Sequence, residues 1–343
     1  MNVAVVGAGI CGLSAARSLA HRGHQVTLYE QFELFHDRGS SHGASRIVRR
    51  AYPDPFYTAC MAEAYPMWSD LERESGRILL HECGLLYFGP SNAPDLLSMV
   101  EGLTECGVPF EQLDANETHR HLPELRLEPH ESAIWTPEAG WVEADRTLRT
   151  LADLVLADRV AIRTGLAVDP ALLSGQYDAV AVSAGPWTAH IAPVPVSTTL
   201  QTFAYVDAHI GGPVWIEDSH DQPYGFPSDT NGLKIGVHRA GPTIDPRVDL
   251  REPSSEFIGI IAETARRRFG IDQPTIKEAR GCIYTTTANN DFLLGRLAPN
   301  TFYASACSGH GFKMGLWIGK LLADFVEGAD RPENHPRFFW HEA

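Results

Sequence analysis

The residues most able to do chemistry in this chain fall in two clusters. The first, Gly7-Ala8-Gly9-Ile10-Cys11-Gly12, follows an apolar run from Asn2 to Val6 and precedes a helical stretch from Leu13 to about His21. Strand, tight turn and helix in that order cradle a pyrophosphate. Gly7 permits the turn, Gly9 lets the backbone approach the anion, and Gly12 lets helix and strand pack closely. Gly23 suits the helix C-terminus, and a second strand, Gln25 to Tyr29, ends in Glu30, whose carboxylate can accept hydrogen bonds from ribose hydroxyls. An acid there disfavours a 2′-phosphate and so NADP, without separating NAD from FAD; the hexapeptide alone also reads as a plain glycine-rich turn. The second cluster is Ser308-Gly309-His310-Gly311-Phe312-Lys313, preceded upstream by Cys282-Ile283-Tyr284.

Two further segments have composition suited to a ligand. His36 to Arg46 is polar and glycine-containing and reads as a loop dense in hydrogen-bonding groups. Ser183-Ala184-Gly185-Pro186-Trp187 follows the buried-strand run Asp178 to Val182, and its small residues allow close backbone approach.

These segments need elements to position them. Apolar residues at Cys60, Met61, Ala64, Tyr65, Trp68 and Leu71 predict an amphipathic helix from Phe56 to about Gly76, kinked at Pro66. Leu79 to Phe88 reads as strands, and Pro94 to Cys106 and Asp145 to Leu156 as helices. Phe203 to Val206, Val214 to Glu217, Leu233 to Val237 and Gly281 to Thr285 read as strands of a separate sheet. A chain of 343 residues with 44% hydrophobic content can bury a large core and favours two domains.

Charge narrows the partners. With 28 basic and 43 acidic residues the formal net charge is −15, which opposes nonspecific binding to nucleic acid or an anionic membrane. No window approaches the roughly 18 apolar residues of a membrane span, and a first strand at Asn2 leaves no room for a signal peptide, so a cytoplasmic location is expected. The six cysteines lack C-x-x-C spacing, which suggests neither a disulfide framework nor a zinc site.

With these residues in view, the chain resembles the monomeric sarcosine oxidase and N-methyltryptophan oxidase family of amine-oxidising flavoproteins, nearly end to end. The resemblance is carried by Gly7 to Glu30, Ser41-His42-Gly43-Ala44-Ser45-Arg46 with Arg49, Tyr224-Gly225-Phe226-Pro227, Gly232-Leu233-Lys234 with His238, Cys282-Ile283-Tyr284, and Ser308 to Lys313. It implies an α/β fold: a Rossmann-like FAD domain (1–80, 133–197 and 287–343) interleaved with a smaller α+β substrate domain built on a mixed or antiparallel sheet (81–132 and 198–286). Cys282 falls where the family links a cysteine sulfur to the flavin's C8 methyl group. A buried strand thiol is the ordinary reading of a cysteine taken alone. The chain is shorter than the typical member and lacks a hairpin between Val160 and Ser183.

The family's site residues carry over position by position. Contacts to the cofactor are implied for Gly7, Gly9, Gly12, Glu30, Ser41, His42, Ser45, Arg46, Leu166, Ser183, Gly185, Trp187, Cys282, Tyr284, Gly309, His310, Gly311, Phe312 and Lys313. Arg49 and Lys313 match the cations that hold a substrate carboxylate, Arg as a bidentate fork and Lys as a point charge. Arg46 and His42 match residues beside the isoalloxazine ring, where positive charge stabilises the anionic reduced flavin. Lys234 matches a lysine that promotes oxygen reduction, although a strand lysine taken alone is usually exposed. Tyr224 and His238 match groups at the amine end of the substrate, and Gly309 lies nearby. Trp215 is expected where the sarcosine enzyme has a smaller side chain near the substrate, with a place in the sheet's core as the alternative.

The resulting expectation is a monomeric FAD-dependent oxidase of secondary amines or amino acids. The substrate, an N-methyl amino acid or a cyclic imino acid, becomes an imine, and oxygen becomes hydrogen peroxide. A dehydrogenase of similar architecture using another electron acceptor is the nearest rival, and a noncatalytic nucleotide-binding protein a more distant one.

Overall fold

The computed structural model describes residues 1–248 and 251–340. Its N-terminal strand, Asn2–Val6, is apolar and buried from Val3 to Val6 because it lies inside a sheet. That sheet has six strands in the order Leu293–Ala298, Thr301–Ser305, Ala179–Val182, Asn2–Val6, Gln25–Tyr29, Ala161–Arg163. All neighbours are parallel except the edge hairpin 293–305. Parallel strands are covered on both faces, which explains why these runs do not alternate. One cover is a helical layer in which Ile10–His21 packs against Ala144–Ala157 and Gly315–Glu327.

The second sheet has eight strands, ordered Ile276–Thr286, Ser197–Val206, Leu233–Val237, Pro223–Gly225, Val214–Glu217, Leu85–Pro90, Glu131–Thr136, Glu111–Leu113. Antiparallel pairing dominates, with one parallel pair between 214–217 and 85–88. Helix Ser255–Phe269 covers one face with Phe257, Ile261, Ala265 and Phe269, a four-residue repeat that forms a single apolar stripe. A third sheet of three strands, Ser45–Arg49, Ala139–Glu143 and Leu80–Glu82, holds the segment bearing Arg46 and Arg49.

The strands predicted at 2–6, 25–29, 214–217 and 233–237 occur with those bounds, and the four strands assigned to a separate sheet do share one. The helix predicted from 56 to 76 is two helices, Pro55–Ala64 and Pro66–Ser75, divided because Pro66 has no N–H to continue the ladder. The loop predicted through Arg46 ends earlier, since Ser45 and Arg46 already pair with Glu143 and Val142. Strand Glu131–Thr136 lies wholly in the eight-stranded sheet and so spans the anticipated division at 132/133. Among the described residues no helix is long and apolar enough to cross a membrane.

Beneath the eight-stranded sheet lies a buried ion cluster. Arg268, 2% exposed, donates from Nη1 and Nη2 to the two Glu131 oxygens at 2.6 and 2.7 Å and from Nε to Glu217 at 2.9 Å, while Arg267 donates to Glu217 at 2.7 Å. Removing the central guanidinium strands the Glu131 carboxylate out of water and leaves Glu217 with Arg267 alone. Arg268→Met is expected to cost about 3–5 kcal/mol in urea denaturation, and a variant as stable as the parent would refute this role.

Candidate active site

The glycine turn opens into a cavity of about 630 Å³ that runs between the six-stranded sheet and the eight-stranded sheet. Gly7 has φ +99°, and a Cβ there would lie 2.4 Å from the Ser183 carbonyl. Gly7 and Gly9 line the cavity; Gly12 does not, because its part is behind the turn, where a Cβ would come within 1.8 Å of the Gly7 carbonyl. The N-cap, Gly9, brings no side chain of its own, and the Ser41 hydroxyl accepts from the Ile10 N–H at 3.2 Å, so the remaining N-terminal N–H groups and the helix dipole face the turn.

Glu30 sits at the wall, accepting from the Ala8 N–H at 2.9 Å and the Phe32 N–H at 3.0 Å, with His36 Nε2 at 3.4 Å. Burial pushes its carboxyl up, but the His36 and backbone hydrogen bonds outweigh that and hold it below the usual carboxylate range. Glu30 is therefore an anion at neutral pH. Ser41, Leu166, Ser183, Gly185 and Trp187, all expected to contact the cofactor, line this cavity. His36, stacked edge-on to Phe32 at 4.8 Å, was not singled out in the sequence; its ion contact to Glu30 exists only once the loop folds back.

Further in, two cations sit without carboxylate partners among the described residues. Arg46 donates to the carbonyls of Ser45 at 2.9 Å, Ser40 at 3.0 Å and His42. Lys234, 4% exposed, donates to the Ser45 carbonyl at 3.0 Å and its hydroxyl at 3.1 Å, with Phe203 and Phe226 rings each 4.6 Å from Nζ. Burial, and then the Arg46 charge, lower the Lys234 ammonium to about 7. His42 falls to about 4 for the same two reasons and is neutral, with Nε2 buried and unpaired. Asp145 holds this loop in place by accepting from the Gly43 N–H at 2.7 Å.

Cys282 is buried on the strand opposite Gln201 and lines the cavity with Tyr284, two residues on and on the same face. Its thiol is raised chiefly by burial, against the pull of Arg46 and Lys234, which places it electrostatically beside those cations.

At the remaining end stand Arg49, Lys313, Tyr224, His238 and the Gly309 to Phe312 turn. No carboxylate pairs with Arg49 or Lys313 among the described residues, and Arg49 Nη1 is buried without a partner. Lys313, 6% exposed, is held well below the ordinary lysine value by burial and then by the Arg49 charge. His238 is lowered to about 4 by burial, Arg49 and Lys313, and Tyr224 is raised to about 12 by burial. Both are neutral at pH 7. Gly309 has φ +73°, and a Cβ would meet His238 and Tyr284 at 2.5 Å, so this turn closes on the two rings only without a side chain. Tyr52, Ile216 and Gln222 also line this end and were not anticipated.

Trp215 is a correction. It does not line the cavity but is 1% exposed in the opposite core, with Phe269 at 5.3 Å and Phe88 at 6.2 Å between ring centroids. Side chains alternate along a strand, so Ile216 takes the cavity face and its neighbour must point away.

A dinucleotide cradle opening onto a cavity lined by unpaired cations defines a cofactor-dependent redox enzyme. The chain belongs to the FAD-dependent oxidoreductase family, which it matches over residues 2–325, and the resemblance read from its motifs stands. It is 32% identical to the peroxisomal sarcosine oxidase of Mus musculus over 93% of this chain and 90% of that protein. It is 28% identical to the monomeric sarcosine oxidase of Streptomyces avermitilis over 95% and 93%. Its fold is shared with NikD, an unusual amino acid oxidase essential for nikkomycin biosynthesis, at TM-score 0.85 and 21% identity, covering 100% of this chain and 98% of that one.

Burying Lys234 has a pH signature in the flavin-free protein. Its folded value, about 7, lies below its ordinary 10.5, so the penalty is full below pH 7 and fades as pH rises toward 10.5. Lys234→Met is expected to stabilise flavin-free protein by roughly 2–4 kcal/mol at pH 6 and by little at pH 10, measured by urea denaturation. An equal gain at both pH values would contradict this.

Proposed function

We propose that this enzyme oxidises secondary amines or amino acids, with N-methyl amino acids and cyclic imino acids as leading substrates and oxygen as electron acceptor. The observation that carries the reading is the Arg49–Lys313 pair, a half-buried and a buried cation with no carboxylate partner among the described residues, in the cavity that also holds Arg46 and Lys234. A substrate carboxylate is the natural partner for such a pair.

The residues fit FAD. The turn at Gly7 and Gly9 and the helix N-terminus behind it suit a pyrophosphate, the Glu30 carboxylate suits ribose hydroxyls, and Arg46 offers charge that no acid among the described residues pairs with. Bound there, FAD would supply the hydride acceptor for the carbon next to the amine nitrogen, so that an imine is left, and the means of returning the two electrons to oxygen as hydrogen peroxide.

The chain's own groups do the rest. Arg49 and Lys313 hold the substrate carboxylate and thereby fix the reacting carbon. Neutral Tyr224 and His238 at the amine end, in a field set by the clamp cations, favour the unprotonated amine with its free lone pair. Arg46 stabilises negative charge on the reduced ring, with neutral His42 beside it. Lys234, held by Ser45, supplies positive charge in its protonated form where oxygen acquires negative charge, which would in turn favour that form. Cys282 is the residue through which the flavin would be thioether-linked: it is buried, lines the cavity and lies beside Arg46 and Lys234. We further read the chain as an interleaved FAD domain and substrate domain, acting as a cytoplasmic monomer without nucleic-acid or membrane partners, in keeping with its net charge of −15.

Protein purified or reconstituted with FAD should be yellow, and the colour should stay with the polypeptide on acid denaturation but leave it in Cys282→Ser. Protein colourless after reconstitution would end the reading. Peroxide release across a panel of N-methyl and cyclic imino acids should identify the substrate. Lys234→Met should slow air reoxidation of the reduced flavin by about 10²-fold while leaving its reduction by substrate within a few fold; stopped-flow absorbance separates the two steps.

A further inference from the structure

Both clamp cations rest on one aromatic ring. Arg49 Cζ lies 4.4 Å from the Tyr52 ring centroid, and Lys313 Nζ lies 5.6 Å from it. Tyr52 is itself immobilised. It is 5% exposed, stacks on Tyr57 at 5.4 Å and 29°, and its hydroxyl meets His310 Nδ1 at 3.3 Å. The other ring nitrogen of His310 faces the Asn290 carbonyl at 3.2 Å, and the His310 backbone carbonyl accepts from Lys313 Nζ at 3.2 Å. Burial keeps this imidazole neutral, so Nε2–H can donate to Asn290 and leave the Nδ1 lone pair for the Tyr52 hydroxyl. Pro53 and Pro55, flanking the Asp54 helix cap, stiffen the backbone after the ring.

We propose that Tyr52 is the positioning residue of the anion clamp, holding Arg49 and Lys313 by its π face and registering them through His310. A carboxylate could hold both cations equally well, but it would neutralise them and compete with the substrate. A ring face attracts a cation without satisfying its hydrogen bonds, so the clamp stays fixed and its charge stays available. Tyr52 thus acts on substrate affinity through the two cations.

This inference rests on the carboxylate reading of Arg49 and Lys313, and the test separates the two. Acetate and benzoate, with neutral benzamide as comparison, are titrated calorimetrically into the FAD-loaded enzyme. Wild type binds the acids. Tyr52→Leu weakens acid binding roughly tenfold, Tyr52→Phe stays within about threefold of wild type, and benzamide affinity does not change. With an acidic amine substrate, KM rises in Tyr52→Leu more than kcat falls. If Tyr52→Leu does not fold, Tyr52→Met makes the same comparison. Acid binding unchanged in the ringless variant, or benzamide weakened in parallel, overturns the role of Tyr52 alone. A wild-type enzyme that binds neither acid overturns the clamp and this inference with it.

Discussion

Four cations, the buried Lys234 and Lys313 and the half-buried Arg46 and Arg49, line one cavity, and no acid among the described residues pairs with any of them. Everything else about the site depends on sustaining that arrangement. Removing charge from water is costly, and an unpaired ammonium inside a protein tends to shed its proton, as the lowered values of Lys234 and Lys313 indicate. The fold compensates with carbonyls and rings: Ser40, His42 and Ser45 for Arg46, Ser45 with Phe203 and Phe226 for Lys234, Tyr52 for Arg49, and the His310 carbonyl for Lys313. These partners are dipoles and quadrupoles. They hold the cations while leaving most of the positive potential to act on anions.

Three sheets divide the labour. The six-stranded sheet presents the glycine turn, Glu30 and the turn after Val182 at the C-terminal ends of parallel strands, where such sheets bind ligands. The eight-stranded sheet offers one face to the cavity through Lys234, Tyr224, Cys282 and Ile216, and the other to helix Ser255–Phe269 and the Arg268 cluster. The three-stranded sheet fixes Arg46 and Arg49 by pairing their strand with Ala139–Glu143. Each cation is thus set by backbone hydrogen bonding rather than left on a flexible loop.

Local patterns were legible where a segment's environment is uniform along its length. The glycine turn, its flanking strands and several strands of the second sheet could be read because strand burial and turn geometry leave a short-range signature. The C-terminal helix Gly315–Glu327 was not, because it is buried nearly all round and carries no polar face to reveal a 3.6 period. Helix Ser255–Phe269 does carry a four-residue apolar stripe, which was there to be read but is crowded by three consecutive arginines. Trp215 shows the complementary difficulty. A one-residue change of register reverses a side chain's face, and residue type alone does not say which face of a sheet looks into a cavity.

By itself the sequence determined the glycine-turn pattern of a nucleotide cradle and a chain too acidic to favour polyanions, since spacing and net charge are properties of the linear polymer, whereas the candidate charged and thiol residues of the site came from its resemblance to a family. Only the tertiary structure decided that cations from positions 46, 49, 234 and 313 share one cavity without a carboxylate partner among the described residues, that His42 and His238 are neutral, and that Trp215 is core while Tyr52 is site. Desolvation and mutual repulsion depend on distances between segments hundreds of residues apart, and those distances exist only once the sheets have packed.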